Sequence, residues 1–65
     1  SAEDLLKVIK KMPTGFRTVF NMYVIEGFSH KEIAEELNIS VSTSKSQFSR
    51  ARVFLQKKLI EEEII

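Results

Sequence analysis

Three residues, Asn38-Ile39-Ser40, separate two stretches that each carry the apolar spacing of a helix. No other feature narrows the fold as far. Upstream, Ser29-His30-Lys31-Glu32 fits a capping box, in which the Ser29 hydroxyl accepts from the Glu32 backbone N–H and the Glu32 side chain reaches back. Ile33, Ala34 and Leu37 then face inward, and Asn38 ends the helix by taking the left-handed conformation. Downstream, Ser40 caps a longer helix predicted from about Val41 to Leu59. Two capped helices joined by so short a turn predict a helix-turn-helix.

The chain before this hairpin supplies two more helices. The first is predicted from about Ala2 to Lys11, with Leu5, Leu6, Ile9 and Met12 at helical spacing, acids early and lysines late. Pro13 stops it, because the residue before a proline is pushed out of helical geometry. The second is predicted from Thr14 to about Glu26, with Phe16, Val19, Phe20 and Tyr23 inward and Met22 and Val24 on its flanks. Gly27 ends it, since glycine accepts positive φ without a side-chain penalty. The aromatics Phe16, Phe20, Tyr23, Phe28, Phe48 and Phe54 read as core, because stacking on single strands would need them exposed in a row. The expected fold is an all-α domain of three to four helices, a helix-turn-helix without a wing.

At 65 residues the chain has room for one domain, expected over residues 1–65, and domains this small are marginal. With no cysteine there is neither a disulfide nor a thiolate site, which fits a reducing cytoplasm. No apolar run approaches the roughly 18 residues of a membrane span, and no signal peptide is recognisable. Ser1 in place of a methionine reads as the start of a piece cut from a longer protein. His30 has no histidine or cysteine partner for a metal, and no cofactor motif is present. The chain also lacks a nucleophile–base set, a paired-carboxylate constellation and a glycine-rich phosphate loop, so an enzyme is not expected.

A net charge of +1 argues at first against a nucleic-acid partner. The average hides an asymmetry: residues 40–58 hold Lys45, Arg50, Arg52, Lys57 and Lys58 and no acid. A local basic stripe is the electrostatic footprint that matters. On a wheel of about 100° per residue, Val41, Ser44, Phe48, Ala51, Leu55 and Leu59 share one face. The opposite face carries Ser42, Ser46, Ser49, Arg50, Val53 and Lys57. The first turns of a recognition helix enter the major groove, where cations, amides and hydroxyls read base edges. Ser42, Lys45, Ser46, Gln47, Ser49 and Arg50 are therefore the candidate base readers, with Lys45, Ser46, Ser49 and Arg50 favoured. His30, Lys31, Thr43, Arg52 and Lys57 are the candidate phosphate donors. A polar, basic helix face is more often only a solvated face; the capped helix and tight turn before it shift the balance towards DNA.

Met12-Pro13-Thr14-Gly15-Phe16-Arg17-Thr18-Val19-Phe20 resembles the opening of region 4 in bacterial sigma factors. Tyr23 to Ala34 continues that pattern, and Thr43 to Arg52 resembles the family's recognition helix with its Ser-Arg-Ala-Arg ending. The likeness spans about residues 5–59 and is closest to the extracytoplasmic-function type. It implies binding to the −35 promoter element while attached to RNA polymerase, through an apolar groove that meets the flap of the β subunit. It also implies anti-sigma factors as possible partners. Many members carry valine at the position of Ser44 and arginine at that of Gln47. Ser44 would then give up an apolar contact, and Gln47 would mark where this helix reads something different.

Two other readings stand beside this one. Regulators of the LuxR kind share the Lys-Glu-Ile-Ala and Ile-Ser pattern but usually lack the Pro-x-x-aromatic-Arg opening and the Ser-Arg-Ala-Arg ending. A helical module that grips a protein partner is suggested by the number of apolar residues in so small a chain and by its apolar end. The Glu61–Ile65 tail reads as solvated or as packing back, without a choice between the two.

Overall fold

A computed structural model describes residues 1–62, and these form four helices. α1 spans Ala2–Lys11, α2 spans Thr14–Phe20, α3 spans His30–Leu37 and α4 spans Val41–Glu61. A π-helical segment, Asn21–Ile25, continues α2. Ser1 and Asp4 form a capping box at the start of α1, one the sequence reading missed. At its end, Met12 is extended ahead of Pro13, as the proline rule requires. α4 runs slightly past its expected end at Leu59, through an ion pair of Lys58 with Glu61 at 3.3 Å. Glu62 pairs with Lys11 at 2.9 Å and ties the last turn of α4 to that of α1. Ile60 is exposed and Leu59 is half-buried, while Glu63, Ile64 and Ile65 lie outside the described residues.

Both hairpin caps take the expected form. Ser29 and Glu32 close a capping box, with the Ser29 N–H donating to Glu32 Oε1 at 2.9 Å. The Ser29 backbone N–H, and then the Ser29 hydroxyl, hold the Glu32 carboxyl below the usual carboxylate range. Asn38 lies at φ 55°, ψ 48°, so the chain turns sharply and the Ile39 N–H returns to the Ala34 carbonyl. The Ser40 hydroxyl oxygen accepts from the Thr43 N–H at 2.9 Å and its hydrogen goes to Thr43 Oγ1 at 2.8 Å.

The inward stripe of the second helix differs from the expectation. A π turn holds more residues than an α turn, as the Glu26 N–H bonded to the Asn21 carbonyl shows. The extra residue rotates everything after Phe20, so that Met22 is buried and Tyr23 is turned out. Gly27, at φ 79°, lets the chain leave, and the Phe28 N–H closes back on the Met22 carbonyl. Phe28 is also on the surface, so Tyr23 and Phe28 are not core residues. In α1 the buried residues are Val8 and Ile9, with Met12 buried just past its end, while Leu5 and Leu6 are exposed. This helix rests chiefly on α4, and one partner covers only a narrow stripe.

The core has two parts joined by Phe48. Ile9, Met12, Phe20 and Ala51 pack under Phe16, Phe54 and Leu55. Val19, Met22 and Ile33 pack with Leu37 and Ile39. Phe48 touches both groups and stacks on Phe20 at 6.1 Å between ring centroids. Completely burying a side chain such as Ile33 contributes about 1.5–3 kcal/mol.

Candidate nucleic-acid interface

α4 is seated by its inward side, and that fixes which side chains point out. Ser44 and Ala51 are completely buried, and Phe48 and Leu55 are half-buried. Val41, expected on the same face, is exposed, because it opens the helix beyond the packed surface. Ser42, Lys45, Ser46, Ser49 and Arg50 are all exposed on successive turns from the capped N-terminus. Hydroxyls alternate there with cations, so the backbone can approach a ligand closely while longer side chains reach past it. Lys31, Lys45, Arg50, Arg52 and Lys57 are exposed, and none makes an ion pair among the described residues. The Arg52 guanidinium lies 6.0 Å from the Phe48 ring centroid, and that contact steers it along the flank of α4.

Of the expected contacts, Gln47 is turned inward, while His30 and Thr43 also make hydrogen bonds within the domain. Gln47 does not join the outward set: it is half-buried, and its amide lies where a Cβ on Gly15 would meet it at 3.8 Å. Its Oε1 is enclosed without a hydrogen-bond partner. Gln47 stands on the flank of α4 that α2 covers. His30 is not a plain surface residue: its Nδ1 lies 2.8 Å from Ser44 Oγ and its ring stacks on Tyr23 at 4.4 Å. Ser44 therefore does more than give up an apolar contact; it makes a polar one inside the hairpin. Thr43 already serves the Ser40 cap through its backbone and hydroxyl oxygen, which leaves its hydroxyl hydrogen for a ligand.

The outer face of α4 is also less polar than the sequence suggests. Phe16, Ser49, Arg50, Val53, Phe54 and Lys57 line an open groove of about 370 Å³. Val53 is 61% exposed, which leaves an apolar floor flanked by two cations. The signal was a lone valine on an otherwise polar face. Arg17 was overlooked as well: its guanidinium donates to the Lys10 carbonyl at 3.0 Å and joins α2 to the end of α1. Asn21 has an enclosed Oδ1 without a partner at the start of the π segment, and no sequence rule pointed to it.

Comparison with known proteins agrees with this arrangement. Residues 2–55 match the family model of sigma-70 region 4. The chain is 40% identical over 53 residues to RNA polymerase sigma factor SigZ of Bacillus subtilis (strain 168). That alignment covers 82% of this chain but 30% of the relative, so the chain spans under a third of its length. No solved structure matches the chain. The LuxR-type alternative is not favoured by these matches. No helix among the described residues is long and apolar enough to cross a membrane. With a capped hairpin, an exposed basic helix face and a family match over most of its length, the chain belongs to the sigma-70 region 4 family of DNA-binding helix-turn-helix domains.

Proposed function

We propose that this chain is one domain of a longer, extracytoplasmic-function-type sigma factor in the cytoplasm, and that it reads the −35 promoter element as part of RNA polymerase holoenzyme. The observation that carries this is the run of exposed Ser42, Lys45, Ser46, Ser49 and Arg50 on a helix pinned by its own N-terminal cap. In this reading those side chains face base edges in the major groove, with Arg50 as the strongest reader because its guanidinium can pair bidentately with guanine. Lys31, Thr43, Arg52 and Lys57 hold phosphates and set the register. The groove floored by Phe16, Val53 and Phe54 suits an apolar helix with acidic edges, and it is assigned to the flap of the polymerase β subunit. An anti-sigma factor that covered this groove or the Arg50 face would silence the domain.

Duplex binding followed by anisotropy tests the reading. Arg50→Ala is expected to weaken the preferred −35 duplex by about 1–3 kcal/mol relative to a scrambled one. Val53→Asp is expected to abolish binding to a flap fragment and, because the groove shares Ser49 and Arg50 with the base-reading face, to weaken duplex binding as well. Equal loss on both duplexes for Arg50→Ala would make it a phosphate contact, and a wild-type chain without duplex preference would sink the base-reading assignment.

A further inference from the structure

His30 is held from three sides. Ser44 Oγ lies 2.8 Å from its Nδ1, Tyr23 stacks on the ring at 4.4 Å, and Phe48 meets it edge-on at 5.7 Å. Tyr23 reaches the ring because the π turn carries it out of the core stripe. Ser44 is completely buried, and among the described residues His30 is its hydroxyl's hydrogen-bond partner. A buried hydroxyl hydrogen needs an acceptor. If Nδ1 carried the ring proton, the Ser44 hydrogen would be left in the core with none, which is the costlier arrangement. Ser44 therefore donates, Nδ1 accepts, and the ring proton sits on Nε2. Nε2 has no partner among the described residues and is not an enclosed atom.

We propose that Ser44 and Tyr23 are positioning residues that fix the tautomer and tilt of His30, so that its Nε2–H donates to a phosphate oxygen of DNA. This rests on the DNA-binding reading above and adds a specific job for a residue on the packed side of α4. The pair spans the first turn of α3 and the first turns of α4, beside Lys31 and Lys45. It therefore also sets the spacing between the helix that straddles the backbone and the helix that enters the groove. Lys31 contributes a point charge; His30 contributes a directional donor whose angle is set inside the protein.

Long-range proton–nitrogen correlation spectra of the imidazole test the first half in the free chain. The wild type is expected to show the proton on Nε2, and Ser44→Ala a mixture of tautomers. A proton on Nδ1 in the wild type overturns the positioning role. The contact is tested with His30→Phe/Ser44→Ala, which keeps a ring on Tyr23 and leaves no buried hydroxyl without a partner. Its affinity is expected to fall about threefold to tenfold on −35 and scrambled duplexes alike, the range for one hydrogen bond. The salt dependence should not change, because a donor without charge displaces no counterion. Lys31→Ala should instead flatten that dependence by about one counterion. A double variant that binds like the wild type overturns the phosphate contact. A wild-type chain that binds no duplex overturns it together with the DNA reading, whereas the tautomer still decides what Ser44 does.

Discussion

The two halves of the domain are held by different means. From Ser29 to Ser44 the chain is organised by hydrogen bonds that side chains make to backbone or to one another: two serine caps, the Glu32 return and the His30–Ser44 pair. From Thr14 to Phe28 it is organised by packing. α2 begins at Pro13 with no side-chain cap, and its continuation as a π turn has no local sequence signal. Caps act over three residues and specify where a helix starts. Packing acts across the domain and specifies which way a helix faces. The helix-turn-helix needs the first kind of control, because a shift of one residue at Ser40 would rotate every reader on α4 by about 100°.

The strongest way to break this contrast is to remove packing from the hydrogen-bonded half. Ile33 is completely buried and joins α3 to Val19 and Met22. Ile33→Ala is expected to cost about 2–5 kcal/mol in urea unfolding. A domain of this size has only about 3–10 kcal/mol to lose, so the variant is best measured cold and at low denaturant. Leu6, 50% exposed, is the control: Leu6→Ala should stay within about 0.5 kcal/mol of wild type. Equal losses at the two positions would show that α1 is packed more tightly than its exposure indicates.

What could be read from the sequence follows the same division. Ser29, Glu32, Asn38 and Ser40 were legible, because each satisfies a rule that involves only its near neighbours. Lys45, Ser46, Ser49 and Arg50 were legible as an outward set once the helix start was fixed. Tyr23 was not, since one added residue in the π turn moved it from stripe to surface. Gln47 was not either: a wheel gives its angle but not the presence of α2 at that angle. His30 and Ser44 stand fourteen residues apart, and their bond depends on how α3 crosses α4. The one available hint was that Ser44 fell on the packed side of the wheel, where a hydroxyl has to find a partner.

A middle-sized effect separates the two caps. Ser40→Ala and Ser29→Ala should each cost about 0.5–2 kcal/mol, the usual range for a lost N-cap. Their consequences for DNA should differ. Ser40 sets the start of α4 and also engages Thr43, so its loss should reduce duplex affinity beyond what unfolding accounts for. Ser29 sets α3, and its loss should reduce stability with a smaller effect on selectivity. Gly substitutions at both sites should recover most of the stability, because glycine is a tolerated cap. If Ser40→Gly also recovered full affinity, the Ser40–Thr43 hydrogen bond would have no part in orienting the groove-facing turn.

The smallest expected effect is the most specific to this hairpin. The Glu32 carboxyl is held below its ordinary range by the Ser29 N–H and hydroxyl. A carboxylate depressed in the folded state contributes stability that is complete above its unfolded value and is lost as pH falls through the folded one. The contribution should therefore be intact at neutral pH and vanish on acidification through and below the normal carboxylate range. Asp4, lowered by the Ser1 hydroxyl and then the chain's own amino terminus, should titrate in the same window. The two can be told apart with Glu32→Gln and Asp4→Asn, each of which keeps an acceptor but cannot titrate. Thermal unfolding from neutral to acidic pH should show a shallower fall for either variant than for wild type. Only Glu32→Gln should alter how duplex binding changes with pH, because its cap holds the helix that carries His30 and Lys31. A wild-type pH profile reproduced by Glu32→Gln would mean that the capping box sets geometry without contributing to acid stability, and the contrast between the two halves would then rest on direction alone.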